Sequence, residues 1–134
     1  MLLIPTQVRP SSIQGLGLFA TAPVKKGTIT WTFKPNFDLL FTVEEVEAMH
    51  PVQKALLHHH GYLSTYLNKY VFCVDDARFW NHSADCNNGE HLLPGEVEPS
   101  NIALRDIAAG EELTVDYRSF DKKDFDANKP WLSR

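Results

Sequence analysis

A chain of 134 residues, 43% hydrophobic and 22% charged, has the composition of one folded domain long enough to bury a core, not of a disordered or low-complexity segment. Its formal net charge of −4 offers no basic field for phosphates, so direct nucleic-acid binding is not expected, and no apolar run reaches the roughly 18 residues that a membrane span needs. Cys73 and Cys86 make no disulfide framework and no charged-then-apolar leader opens the chain, so the expected setting is intracellular, soluble and reducing: cytoplasmic, with nuclear or secreted-effector locations also compatible.

No repeat, linker or composition shift divides the chain. Residues 16–20 and 28–33 are rich in aromatic and β-branched side chains, and Pro23 and Gly27 separate them, which predicts short strands. The middle is helical. Thr42-Val43-Glu44-Glu45 has the form of a capping box opening a helix over 43–49. Pro51 suits the first turn of a second helix, which Gly61 stops. Residues 70–74, 102–104 and 113–115 return to strand, with a turn at Ala108-Ala109-Gly110-Glu111 before the last. The polar tail, with Phe120, Phe125 and Trp131, is expected to be irregular. Many short strands with one helical insert predict a mainly β (β+α) fold without βαβ alternation.

Gly15-Leu16-Gly17-Leu18-Phe19-Ala20 spells the letters of a dinucleotide-binding turn, but that turn needs a helix starting within it, and Pro23 and Gly27 break any such helix. Two glycines one residue apart still suit either a close backbone approach to a ligand or a plain tight turn.

Two longer stretches add to this one. Arg78-Phe79-Trp80-Asn81-His82-Ser83-Ala84-Asp85-Cys86-Asn87 resembles the R-F-x-N-H-S-x-x-P-N motif of SET domains. Arg105-Asp106-Ile107-Ala108-Ala109-Gly110-Glu111-Glu112-Leu113-Thr114-Val115-Asp116-Tyr117 resembles their R-D-I-x-x-G-E-E-L-T-x-D-Y motif, and the glycine segment is similar to their first motif. The three stand in the family's order over residues 15–117.

The resemblance implies a SET-domain fold of several short sheets: a single domain over 1–134 with an N-terminal β part (15–37), a helical insert (38–69), a C-terminal part (70–117) in which the last two motifs cross as a pseudoknot, and a tail (118–134). It implies a lysine methyltransferase using S-adenosyl-L-methionine, with Tyr117 as the catalytic residue. Cofactor contacts then fall on Gly15, Leu16, Gly17, Tyr66, Arg78, Phe79, Asn81, His82, Tyr117 and Trp131, and the substrate channel on Tyr70, Phe72, Val115 and Tyr117. An uncharged aromatic lining suits that chemistry. Lysine has a pKa near 10.4, so holding it neutral at pH 7 costs about 4–5 kcal/mol, which a dry channel beside a sulfonium lowers.

Other readings stay open. Asn81 and His82 can simply satisfy buried groups where segments cross, and Tyr117 can be a strand-end aromatic. Phe72 stands where many members have a channel tyrosine, so Tyr66 or Tyr70 is a candidate source of that hydroxyl, with core packing the alternative for all three. A SET-like module that holds peptide or cofactor without turnover is the alternative function.

Cys86 replaces the family's usual proline, and no cysteine follows it, so the zinc cluster that closes the channel in many members is absent from this sequence. Phe120, Phe125 or Trp131 can substitute, Trp131 foremost. The run His58-His59-His60 points about 100° apart on a helix and fits a solvated helix end, not a metal site. No metal is expected. The expected partner is a lysine-bearing protein or peptide, for which a histone, a histone-like or a ribosomal protein fits, acted on by a monomer or a homodimer.

Overall fold

In the computed structural model, which describes residues 1–125 and 129–134 apart from the side chain of Phe125, ten short strands form three sheets. The first contains β1 (Thr6–Pro10), β2 (Leu16–Ala20), β10 (Glu112–Val115) and β7 (Asn81–His82), in the order β1-β2-β10-β7. The hairpin β1–β2 pairs antiparallel from Thr6↔Ala20 to Pro10↔Leu16. Pro10 is tolerated because β1 lies at the sheet edge, where a missing N–H removes no ladder bond. Strand β10 then sits between β2, antiparallel, and β7, parallel. The second sheet runs β3 (Ile29–Trp31), β9 (Ser100–Ala103), β8 (Asn88–His91), and the third β4 (Leu39–Phe41), β6 (Tyr70–Phe72), β5 (Tyr62–Leu63). The fold is mainly β, as the sequence predicts.

The helical insert forms for the predicted reason. Thr42 Oγ1 accepts from the Glu45 N–H at 3.1 Å, and Glu45 Oε2 accepts from the Thr42 N–H at 2.7 Å. Helix α1 spans Val43–Glu47, two residues shorter than expected, and α2 spans Pro51–His60 with Pro51 in its first turn. Both turn one apolar face inward. Val46 and Leu57 pack with Tyr70 in a small core that Phe41, Val43, Met49, Leu63 and Phe72 surround.

The main core lies between the first two sheets. Leu18, Trp31, Ala103, Ile107, Leu113 and Val115 are each almost wholly inaccessible there. At about 25 cal/mol per Å² of buried apolar area, side chains of this size each contribute roughly 1.5–3 kcal/mol, so this cluster carries most of the stability.

The tail corrects one expectation. It is not irregular throughout: α3 covers Tyr117–Phe120, α4 covers Lys122–Phe125, and a 3-10 turn covers Pro130–Ser133. Aspartates start the two helices. Asp116 accepts from the Arg118 N–H at 3.0 Å, and Asp121 accepts from those of Lys123 at 3.0 Å and Leu63 at 3.2 Å. Among the described residues no helix is long and apolar enough to cross a membrane.

Candidate active site

The parallel pairing of β7 with β10, Thr114↔Asn81 and Val115↔His82, sets the second motif against the strand that leads to Tyr117. Polar side chains lock this crossing. Asn81 Nδ2 donates to the carbonyls of Gln14 (3.2 Å) and Leu16 (3.1 Å) and to Glu112 Oε1 (2.8 Å). Ser11 Oγ donates to the same carboxylate at 2.8 and 2.9 Å. Glycine at 17 leaves room for this carboxylate, since a Cβ there would collide with Glu112 Oε1 and push it aside. Gly15 instead takes φ +49°, which turns the loop before β2. Asn87, fully buried, clamps β10 from the other side: its Oδ1 accepts from the Thr114 N–H (3.0 Å) and its Nδ2 donates to the Glu112 carbonyl (2.7 Å).

His82 links three segments. Its Nδ1 accepts from the Tyr117 N–H at 3.1 Å, which assigns the remaining hydrogen to Nε2, and Nε2 donates to the Leu132 carbonyl at 2.9 Å. The tail is thereby tied to the crossing. Trp131 stands edge-on to His82 (centroids 5.6 Å) and to Tyr117 (6.3 Å).

Tyr117 turns its hydroxyl back toward the second motif and donates to the Trp80 carbonyl at 2.5 Å. Phe120 packs edge-on to its ring at 6.0 Å. Burial, reinforced by the charges of Asp124 and Asp121, raises the Tyr117 phenol well above the usual tyrosine range. The phenol is therefore neutral at pH 7: it orients partners by hydrogen bonding and does not act as a base.

Beside Tyr117 lies a cavity of about 230 Å³. Trp31, Tyr62, Trp80, Val115, Tyr117 and Phe120 give it an aromatic wall, and Glu90, Glu98 and Asn101 bring polar groups into it. Glu98 is buried and accepts from the hydroxyls of Tyr62 (2.8 Å) and Ser64 (2.6 Å). Burial, then the neighbouring Glu98 charge, pushes the Glu90 carboxyl up to about 7. Among the described residues, Trp31 Nε1, Trp80 Nε1 and Asn101 Oδ1 are buried without a hydrogen-bond partner.

Of the sequence-predicted residues, Leu16 and Gly17 at the start of β2 meet Asn81, Gly15 turns the loop just before them, and Asn81, His82, Tyr117 and Trp131 meet at the crossing. Val115, Tyr117 and Arg78 line the cavity. The Arg78 guanidinium also donates to the carbonyls of Val74 (2.8 Å) and Asp75 (3.2 Å) and covers the Phe79 ring at 4.9 Å. Phe79 packs against His60. Tyr66 is exposed on the turn between β5 and β6. Tyr70 and Phe72 sit in the small core, Tyr70 stacking on His58. The side chain of Phe125 lies outside the described residues. Among those residues no three His, Cys, Asp or Glu side chains are grouped to hold a metal.

The sequence reading gave no role to Asn87, Glu112, Trp31, Glu90 or Glu98. The signal for Asn87 and Glu112 lay inside the motifs themselves. Trp31 and the two glutamates carry none, since only the strand register of β3, β9 and β8, and for Glu98 the loop before β9, brings them to the cavity.

Comparison with known proteins agrees with this geometry. The SET domain family model matches residues 15–118. The N-lysine methyltransferase KMT5A-A of Danio rerio is 31% identical over 128 residues, taking in 89% of this chain and 36% of that protein, so the chain spans about a third of that relative's length. Among solved structures, a Plasmodium falciparum chain described as a candidate histone methyltransferase superposes with TM-score 0.61 at 18% identity, covering 97% of this chain and 99% of that one. An inhibitor-bound, humanised Chaetomium thermophilum Polycomb Repressive Complex 2 superposes at 0.61 with 23% identity, covering 85% of this chain and 15% of that one. A match over most of the length, with the second and third motifs crossing beside Tyr117 and the first paired to the third, identifies the chain as a member of the SET domain family.

Proposed function

We propose that this chain transfers methyl groups from S-adenosyl-L-methionine to the side-chain amine of a lysine in a protein substrate. One observation carries the reading: the Tyr117 hydroxyl is fixed to the Trp80 carbonyl, at the crossing of the two long motifs and on the wall of an aromatic cavity. The resemblance to proteins named as lysine and histone methyltransferases supports a histone or histone-like substrate ahead of a ribosomal one.

The residues at the crossing fit the cofactor. Asn81 Nδ2 is committed to the fold, whereas among the described residues its Oδ1 has no partner and is free to accept from an ammonium. Trp131 presents a partly exposed ring next to His82, suited to a purine. Gly15 leaves open space beside its backbone. Gly15, Leu16, Gly17, Asn81, His82 and Trp131 are the residues we assign to hold it. When bound, the cofactor supplies an electrophilic methyl carbon on a sulfonium sulfur.

The protein's own contribution is positioning and desolvation. The neutral Tyr117 phenol hydrogen-bonds a free amine without restoring its charge. The Trp80 carbonyl fixes where that hydroxyl points. Trp31, Trp80, Val115 and Phe120 would keep water from the amine and leave its lone pair uncommitted, and no covalent bond to the enzyme would be needed.

Incubation with methyl-labelled cofactor and a panel of lysine-rich proteins tests the proposal, with label expected on lysine. Tyr117→Phe lowers turnover at least tenfold while leaving cofactor affinity nearly intact. Equal turnover in the variant removes Tyr117 from the role, and no labelled lysine in any protein removes the activity.

A further inference from the structure

The cavity holds a second group of polar atoms that alignment of a neutral amine does not use. Trp31, Asn101 and Glu90 are successive Cα partners across β3, β9 and β8. Residues directly opposite in neighbouring strands project from the same face of a sheet, so the three side chains form a row, and all three line the cavity. Glu90 makes no hydrogen bond or ion pair through its carboxylate among the described residues, although its surroundings are dry enough to push that carboxyl up to about 7. Beside it, Asn101 is only 7% exposed and its Oδ1 has no partner among the described residues. The terminal torsion of an asparagine is soft, so Oδ1 turns into the cavity at little cost. Glu98 stands behind, its own oxygens occupied by Tyr62 and Ser64.

Buried polar groups normally have partners, and these lack theirs. A carboxylate and an amide oxygen side by side are two acceptors waiting for one multiple donor. An alkylammonium has three N–H groups and a positive charge, and the aromatic wall of Trp31, Tyr62 and Trp80 suits both its carbon chain and its charge. A neutral alcohol of the same shape satisfies the wall and fails the acceptors. Arg78, Lys123 and Lys129 also line the cavity, but an anion would meet two acceptors at Glu90 and Asn101 and find no donor on either oxygen.

From this geometry we infer that Glu90 and Asn101 form a recognition subsite for a primary alkylammonium inside the cavity that they share with Tyr117. On the proposed lysine methylation, which this inference deepens, the subsite receives the lysine in its charged form. The ammonium then releases one proton to solvent water, and Tyr117 aligns the neutral amine that remains. Glu90 is thus a positioning residue that acts on capture, not on transfer.

Binding of n-butylammonium chloride and of n-butanol to the full chain at pH 8, without cofactor, followed by tryptophan fluorescence and calorimetry, decides the matter. The chain is expected to prefer n-butylammonium at least tenfold. Glu90→Gln, which keeps the shape of the side chain, is expected to abolish the preference while n-butanol binding persists. A wild-type chain that does not discriminate the two probes overturns the subsite, and so does a Glu90→Gln chain that still discriminates. The wild-type comparison stands whether or not the variant folds. The readout needs no turnover: failed methyl transfer with intact discrimination sinks the function and leaves the subsite, and the reverse result sinks the subsite alone.

Discussion

The two sides of Tyr117 differ in how their polar atoms are satisfied. At the crossing, Asn81 Nδ2, both ring nitrogens of His82, both ends of the Asn87 amide and the Glu112 carboxylate all have partners in the chain. On the cavity wall, Trp31 Nε1, Trp80 Nε1 and Asn101 Oδ1 have none, and Glu90 faces Glu98 with no counter-charge on its carboxylate among the described residues. A satisfied network is what holds two distant segments in one register. An unsatisfied one lowers stability and persists where a ligand completes it. The contrast separates side-chain atoms that build the site from atoms left to receive something in it, with Asn81 contributing its Nδ2 to the first set and its Oδ1 to the second.

The crossing breaks most severely if its hub is removed. Asn81→Leu strips a donor from two loop carbonyls and from Glu112, and each acceptor left dry costs about 1–3 kcal/mol, so a loss of roughly 3 kcal/mol or more is expected in chemical denaturation. A loss below 1 kcal/mol would mean that the network is ornamental. Gly17→Ala ranks second. The added methyl displaces the Glu112 carboxylate from Ser11 and Asn81, and because that carboxylate ends a flexible side chain, the expected cost is smaller, about 1–3 kcal/mol. Gly17→Ala combined with Glu112→Ala makes room for the methyl, so the two losses should be less than additive. Strict additivity would show that Glu112 is not what excludes a side chain at 17.

The same contrast explains what could be read from the sequence. The crossing was legible only through the resemblance: its polar residues lie within two long motifs, and the SET pattern implies that the segment of Asn81 and His82 meets the strand before Tyr117. The helical insert was legible because a capping box is local: Thr42 and Glu45 meet within one turn. Strands β7 and β8 were not, since Asn81–His82 and Asn88–His91 hold no β-branched or apolar run and are strands only through their neighbours. The helical turns of the tail depend on Asp116 and Asp121, cap residues that in a polar, charge-rich segment look like any other surface carboxylate. Tyr70 and Phe72 have the residue types of a channel, but the pairing of β6 between β4 and β5 directs them into the small core. Glu90 illustrates the general limit. Nothing near it in sequence marks it, and it matters only because β3, β9 and β8 align it with Asn101 and Trp31.

The smallest effect has the opposite sign and bears on that wall. A carboxyl at about 7 in the folded chain and near 4.5 in the unfolded one binds its proton more tightly when folded. As pH rises from 4.5 to 7 the unfolded chain has already released that proton and the folded chain still holds it, so folding stability falls through this window and the penalty is complete above it. For a partly buried group the penalty is on the order of 2 kcal/mol. Glu90→Gln removes the titration, so the variant should match the wild type near pH 4 and melt several degrees higher at pH 8; measuring both chains at each pH cancels every other group that titrates in the window. Saturating n-butylammonium at pH 8 should close the gap from the wild-type side, because the cation supplies the counter-charge that the fold leaves out. If the two melting curves run parallel from pH 4 to pH 8, Glu90 is not held in a dry, like-charged setting, and the division between a satisfied crossing and an unsatisfied wall loses its main support.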